Sequence, residues 1–217
     1  MWVEQAIYTS LPRDGRSGYH VVSRSRGVSE ADARALANWS PSHGALILDA
    51  SNRVSVNFHP LPEGRCALSR SCEGPLEYSG RGGRQLYTHA LIFEAAQLER
   101  SAAPPLALYR DAHALGHFRF RADPAPVLEP AELGLCHRAD APNTRADGGD
   151  GLDPDDLSDA LHRLIAGGPV QLRFPGDRLL FAERLLNLLP REVVPTLSFS
   201  TSLRTSSLRP YRLSLLD

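Results

Sequence analysis

A chain of 217 residues, 42% of them hydrophobic, has enough apolar material for a buried core and sits between one large domain and two small ones. Its formal net charge of -1, from 24 basic and 25 acidic side chains, provides no overall field favouring nucleic acid or an anionic membrane. The basic residues are all arginine, a bias that GC-rich codon usage explains without any functional pressure.

In chain order, β-rich runs at 3–9 and 18–24 flank LPRDGRS, whose Pro12 and Asp14-Gly15 are turn chemistry, and together they predict a hairpin. Ser29 ahead of Glu30 and Asp32 is an N-cap followed by first-turn acids, predicting a helix through Trp39 that Pro41 stops. Short strands are expected at 46–49 and 54–59 around a Ser51-Asn52 turn. The alternation of Val54, Val56 and Phe58 with Ser55, Asn57 and His59 predicts that one face of the second strand is wet.

Residues 65–71 and 85–93 predict a second hairpin, closed by a glycine-rich loop and forming the middle of the sheet. Helices are expected over 94–100 and 106–115. The stretch 122–153, rich in Pro, Asp, Gly and Ala, predicts a flexible acidic connector and is the expected seam of the chain. Beyond it come a capped helix over 154–166, a strand over 169–174, a helix over 177–189 before Pro190, and strands over 197–202 and 211–216. These elements predict an α+β fold: a mixed, mainly antiparallel sheet with flanking helices and one long flexible loop, in one domain spanning 1–217. The last strand runs into the final residues, which suits the N-terminal module of a longer polypeptide.

The segment SGRGGRQLYTHALIF carries the most chemistry. Glycine lets the backbone approach a partner closely, while Arg81 and Arg84 offer planar charged forks suited to carboxylate or phosphate. Tyr87 and His89, two apart, share one strand face. Arg81, Arg84, Tyr87 and His89 are therefore read as an interaction surface. In the competing reading His89 is the acid or base of a hydrolase or nucleic-acid-processing effector. A second segment, LSFSTSLRTSSLRP, places Ser198, Ser200 and Ser202 on one strand face followed by Arg204, a candidate site for a phosphorylated small ligand. Cross-strand hydroxyl pairing explains the same letters.

Other constellations are weaker. His20, His59 and His89 are enough imidazoles for zinc, but nothing in the sequence brings them together. Cys66, Cys72 and Cys136 lack the paired spacing of a zinc cage and read as structural, reduced thiols of a cytoplasmic protein. Asp153, Asp155, Asp156 and Asp159 suit a helix N-terminus rather than a calcium loop. No G-x-S-x-G elbow is present, no stretch is long and apolar enough to span a membrane, and MWVEQAIYTS has no signal-peptide pattern. No catalytic residue, cofactor or metal is assigned.

Three stretches, VEQAIYTSLPRDGRSGYHVVSRSRGVS, GRGGRQLYTHALIF and LLPREVVPTLSFSTSLR, resemble the N-terminal domain, type 2, of the bacterial GTPase-associated protein 1 family. The resemblance implies an N-terminal module of a larger protein encoded beside a GTPase in bacterial conflict or defence systems. Its role would be that of an adaptor or sensor rather than a catalyst. The partner it implies is a GTPase or another component of the same system, with no membrane or nucleic acid indicated. Within that reading, Arg81 or Arg84 on its loop is placed to act on a partner's nucleotide as an arginine finger.

Overall fold

The computed structural model describes residues 1–13, 15–77, 83–101, 103–134, 153–190 and 192–217. β1 (Trp2–Ser10) and β2 (Tyr19–Ser25) form the expected antiparallel hairpin. Helix α1 (Glu30–Trp39) follows, its N-terminus closed by a reciprocal capping box in which the Ser29 hydroxyl accepts from the Asp32 amide and the Asp32 carboxylate accepts from the Ser29 amide. β3 (Val54–Leu61), β4 (Arg65–Leu76) and β5 (Arg84–Glu94) are an antiparallel meander. Two helices come next, α2 (Ala95–Ser101) and α3 (Pro105–Ala114).

The expected connector is in part built into the sheet. β6 (Val127–Leu128) pairs parallel to β2, and β7 (Ala131–Glu132) pairs with the start of β1. The rest of it, 135–152 with Cys136, lies outside the described residues. Helix α4 (Pro154–Ile165), capped by Asp153, leads into β8 (Val170–Arg173), then α5 (Arg178–Leu188), capped by Asp177, and finally β9 (Phe199–Ser200) and β10 (Leu213–Leu216).

All ten strands belong to one mixed sheet in the order β6-β2-β1-β5-β4-β3-β9-β10-β8, with β7 added beside β1. The fold class is thus the α+β architecture expected, antiparallel from β2 to β9 and parallel at both flanks. The predicted strand at 46–49 is absent as such. Leu46 makes only an isolated bridge to Leu203, while the Ile47 amide donates to Ser202 O and the Arg204 amide to Ala45 O.

One face of the sheet presents Val56, Phe58, Cys66, Leu68, Leu91, Phe93, Phe199, Leu213 and Leu215, and packs with Leu98, Tyr109, Leu164, Phe181 and Leu185 from α2 to α5. On the other face α1 lies on small residues, its Leu36 joining Ala6, Ala67 and Ala90. The remainder of that second face is polar yet dry, which corrects the sequence expectation: Ser55, Asn57 and His59 are 0%, 1% and 1% exposed. Their cover is aromatic, Trp39 stacking on His59 at 4.8 Å and Tyr211 tilting against Trp39 at 4.9 Å. Shut off from water, the hydroxyls bond one another: Ser71 to Thr88 at 2.8 Å, Ser55 to Asn57 Oδ1 at 2.8 Å, and Asn57 Nδ2 to Ser69 and Ser71 at 3.4 Å.

At one end of this face Arg178, the first residue of α5, is fully buried. Its Nε donates to Ser202 Oγ at 3.0 Å, and its Nη2 reaches Ile47 O at 2.8 Å and Asp49 Oδ2 at 3.0 Å. Asp49 in turn accepts from the Ser51 and Asn52 amides and the Asn52 side chain. Burial works against its charge, but these donors and Arg178 outweigh it and hold the carboxyl below its ordinary range. Asp49→Ala is expected to destabilise by about 2–4 kcal/mol, the partial exposure of the carboxylate keeping the loss under that of a fully buried pair. Glu183→Ala, which breaks the half-exposed pair with Arg110, should cost less than about 1 kcal/mol. Urea denaturation of both variants checks the difference, and equal losses would refute the role given to Arg178.

Candidate functional site

The glycine-rich segment sits where β4 turns into β5. Arg81 lies outside the described residues, whereas Arg84 opens β5 with a 59% exposed side chain. Arg84 donates to Gly74 O at 3.3 Å and stands 4.0 Å from Glu73, a loose attachment that leaves most of the fork in solvent. Gly83 has φ +107°, and a Cβ there would stand 2.7 Å from His43 Cε1, so both the backbone and the close approach call for glycine. Tyr19 pins the base of the hairpin: its hydroxyl donates to Glu77 at 2.9 Å and accepts from the Leu86 amide at 3.0 Å. Burial leads in pushing its pKa up to about 12.

Tyr87 and His89 do share a face, but it is covered, as the other is. The segment after α3 folds over them, Phe118 meeting the His89 ring edge-on at 5.7 Å and Phe120 meeting Tyr87 at 4.9 Å. The two side chains are 1% and 0% exposed, which corrects their reading as surface residues: in this conformation neither can touch a partner.

The His89 hydrogen bonds fix its tautomer. Gln5 Nε2 donates to Glu129 O at 2.6 Å, so Gln5 Oε1 is the atom facing His89 Nε2 at 2.9 Å, and Nε2 must carry the proton. Nδ1 is buried with no hydrogen-bond partner. Burial first, then the nearby cations Arg121, His117 and Arg70, bring the pKa of His89 down to about 3.

The surrounding groups are equally unactivated. Burial pushes the Cys66 thiol up to about 12 and raises Cys72 as well, so neither is a thiolate at neutral pH. The Tyr87 hydroxyl meets the backbone of Arg121 without closing a hydrogen bond of normal geometry, and burial raises it to about 12. His59 projects from the opposite face to His89, because it pairs through Ala67 with Ile92, three residues along β5. A shared imidazole site is therefore ruled out for these two. Among the described residues no group of three or more His, Cys, Asp or Glu is placed to hold a metal ion.

The hydroxyls of the late segment are occupied within the protein. Ser198 Oγ accepts from the Arg212 amide at 3.1 Å, and Ser200 Oγ stands 3.4 Å from Ser55 Oγ. Ser202 Oγ donates to Thr201 O at 2.6 Å while accepting from Arg178. Arg204 is exposed and contributes its backbone to the pairing with Ala45. Just beyond, residues 205–212 overhang a cavity of about 600 Å³ that opens to solvent, far from His89 in the sheet order. Sequence reasoning missed both this cavity and the Arg178 network, because each depends on segments distant in the chain and no local spacing announces them.

The geometry defines an α+β module with a closed sheet core, a loosely held arginine at the start of β5 and no solvent-reachable imidazole in that core. The sequence profile of GTPase-associated protein 1, N-terminal domain type 2, matches residues 2–133, and the chain belongs to that family. The matched part runs from β1 to β7; β8, β9 and β10, which complete the sheet, lie beyond it, as does the late stretch LLPREVVPTLSFSTSLR. No curated protein and no solved structure matches the chain.

Burial also brings His59 down to about 4, against a backbone hydrogen bond to Pro60 that favours the charged form. Both histidines stay neutral in the folded protein at pH 5, whereas the unfolded chain protonates them below about 6.5. Their contribution to stability is complete above that value and is lost as pH falls, on the order of 2 kcal/mol for each by pH 5. Urea midpoints measured from pH 7 to pH 5 should fall accordingly, and a flat profile would contradict the neutral, closed assignment.

Proposed function

We propose that this chain is a noncatalytic interaction module of a bacterial conflict, or defence, system, acting in the cytoplasm as an adaptor that docks on a GTPase or another component of the same system. Membership of a GTPase-associated family supports the partner class. The observation that supports the noncatalytic part is the state of His89: fully enclosed, neutral and, among the described residues, without a carboxylate or thiolate to work with. A hydrolase or nucleic-acid-processing effector built on His89 has no route from solvent to the imidazole in this conformation. No helix among the described residues is long and apolar enough to cross a membrane.

The docking surface we assign is Arg84 at the start of β5, together with Arg81, which lies outside the described residues. A guanidinium held by one carbonyl and a distant carboxylate keeps donors free for a partner's carboxylate or phosphate. Co-purification of the chain with its neighbouring GTPase, in the GTP, GDP and nucleotide-free states, tests the reading. Binding is expected, with the Arg81→Ala/Arg84→Ala double variant weakened about tenfold or more while its circular dichroism is unchanged. Absence of binding in every nucleotide state overturns the adaptor role. GTP turnover followed in the same samples separates docking, which leaves the rate unchanged in the variant, from an arginine finger, whose loss removes stimulation by several orders of magnitude.

A further inference from the structure

Two arginines among the described residues are buried, and they are treated differently. Arg178 has a carboxylate at 3.0 Å and two further acceptors, with only its Nη1 left unpartnered. Arg209, 8% exposed, has one hydrogen bond, from Nη2 to Arg204 O at 3.4 Å. Its Nε is buried without a partner, and no described carboxylate pairs with it. Withdrawing a guanidinium from water without a counter-charge is among the costliest arrangements in a folded chain.

Arg209 lines the 600 Å³ cavity, and Arg212 lines it too. The Arg212 Nε is likewise buried and unpartnered, its Nη2 engaged only with Leu164 O. The rest of the wall is neutral and rich in hydrogen-bonding groups: Gln171 from β8, and Thr205 and Ser206 from the overhanging segment. The Ser206 oxygen accepts from the Leu208 amide and so keeps its own proton to donate. Two cations and several hydroxyl groups, with no acid among them, thus line the cavity.

We infer that this cavity binds a phosphorylated small molecule, with Arg209 and Arg212 holding the phosphate and Thr205 and Ser206 donating to its remaining oxygens. Guanidinium groups match the geometry and the negative charge of phosphate oxygens. The volume lies within the range of small-ligand sites. The hydroxyl face at Ser198, Ser200 and Ser202 is not the site, its groups being satisfied internally. This ligand site shares no residue with the docking surface at Arg81 and Arg84 and stands or falls apart from it.

Thermal unfolding of the full 217-residue chain with inorganic pyrophosphate, against sodium chloride of equal ionic strength, tests the inference. A rise in Tm of about 5–10 °C at a hundredfold excess over Kd is expected with pyrophosphate and not with chloride. Arg209→Gln should abolish the response. Gln171→Glu, which places a carboxylate in the cavity wall without removing a buried group, should abolish it as well, and this variant decides the matter if Arg209→Gln does not fold. No shift in the wild-type protein, an equal shift with chloride, or an undiminished response in Gln171→Glu overturns the inference.

Discussion

Water is excluded from both faces of the central strands, and that constraint governs most of what the polar residues do. Helices α2 to α5 close one side; α1, Trp39, Tyr211 and the paired segments around Ala45 and Arg204 close the other. Every hydroxyl, amide and imidazole facing inward must then be satisfied by protein atoms or carry the cost of being unpaired. The ladder from Ser55 to Thr88 satisfies it with short side chains, and Arg178 does so with a carboxylate and two other oxygens. The imidazoles of His59 and His89 respond by giving up their charge.

The same constraint separates what was legible in the sequence from what was not. Hairpins, helix caps and stops were readable because their chemistry is local: Asp14-Gly15 between two β runs, Ser29 with Asp32, Asp153 and Asp177 at helix starts. Alternation along β3 assigned its two faces correctly but not their surroundings, since period-two polarity does not say whether the polar face meets water or another layer. The parallel pairing of β9, β10 and β8, and the recruitment of 127–132 into the sheet, follow from contacts between distant segments.

At the candidate site the sequence placed Tyr87 and His89 on a common face, which strand geometry guarantees. Their burial beneath Phe118 and Phe120 was invisible, since HFRF has no pattern marking it as a lid. Ser198, Ser200 and Ser202, expected as a ligand surface, hydrogen-bond within the protein. Arg209 and Arg212, whose Nε atoms are buried without a partner, lie seven and ten residues beyond Ser202.

The join between β3 and β9 has a consequence for biosynthesis. Ser55 and Ser200, which meet across it, are 145 residues apart in the chain. At elongation rates of about 5–20 residues per second the ribosome needs about 7–30 s to cover that interval. From the completion of β5 until β9 follows, the nascent β3–β5 meander presents an unpaired β3 margin, and its hydroxyl ladder lacks a roof from Tyr211. An open margin of that kind invites pairing with a neighbouring nascent chain, so the yield of native protein should depend on chaperones that shield the half-made sheet until the last strands emerge.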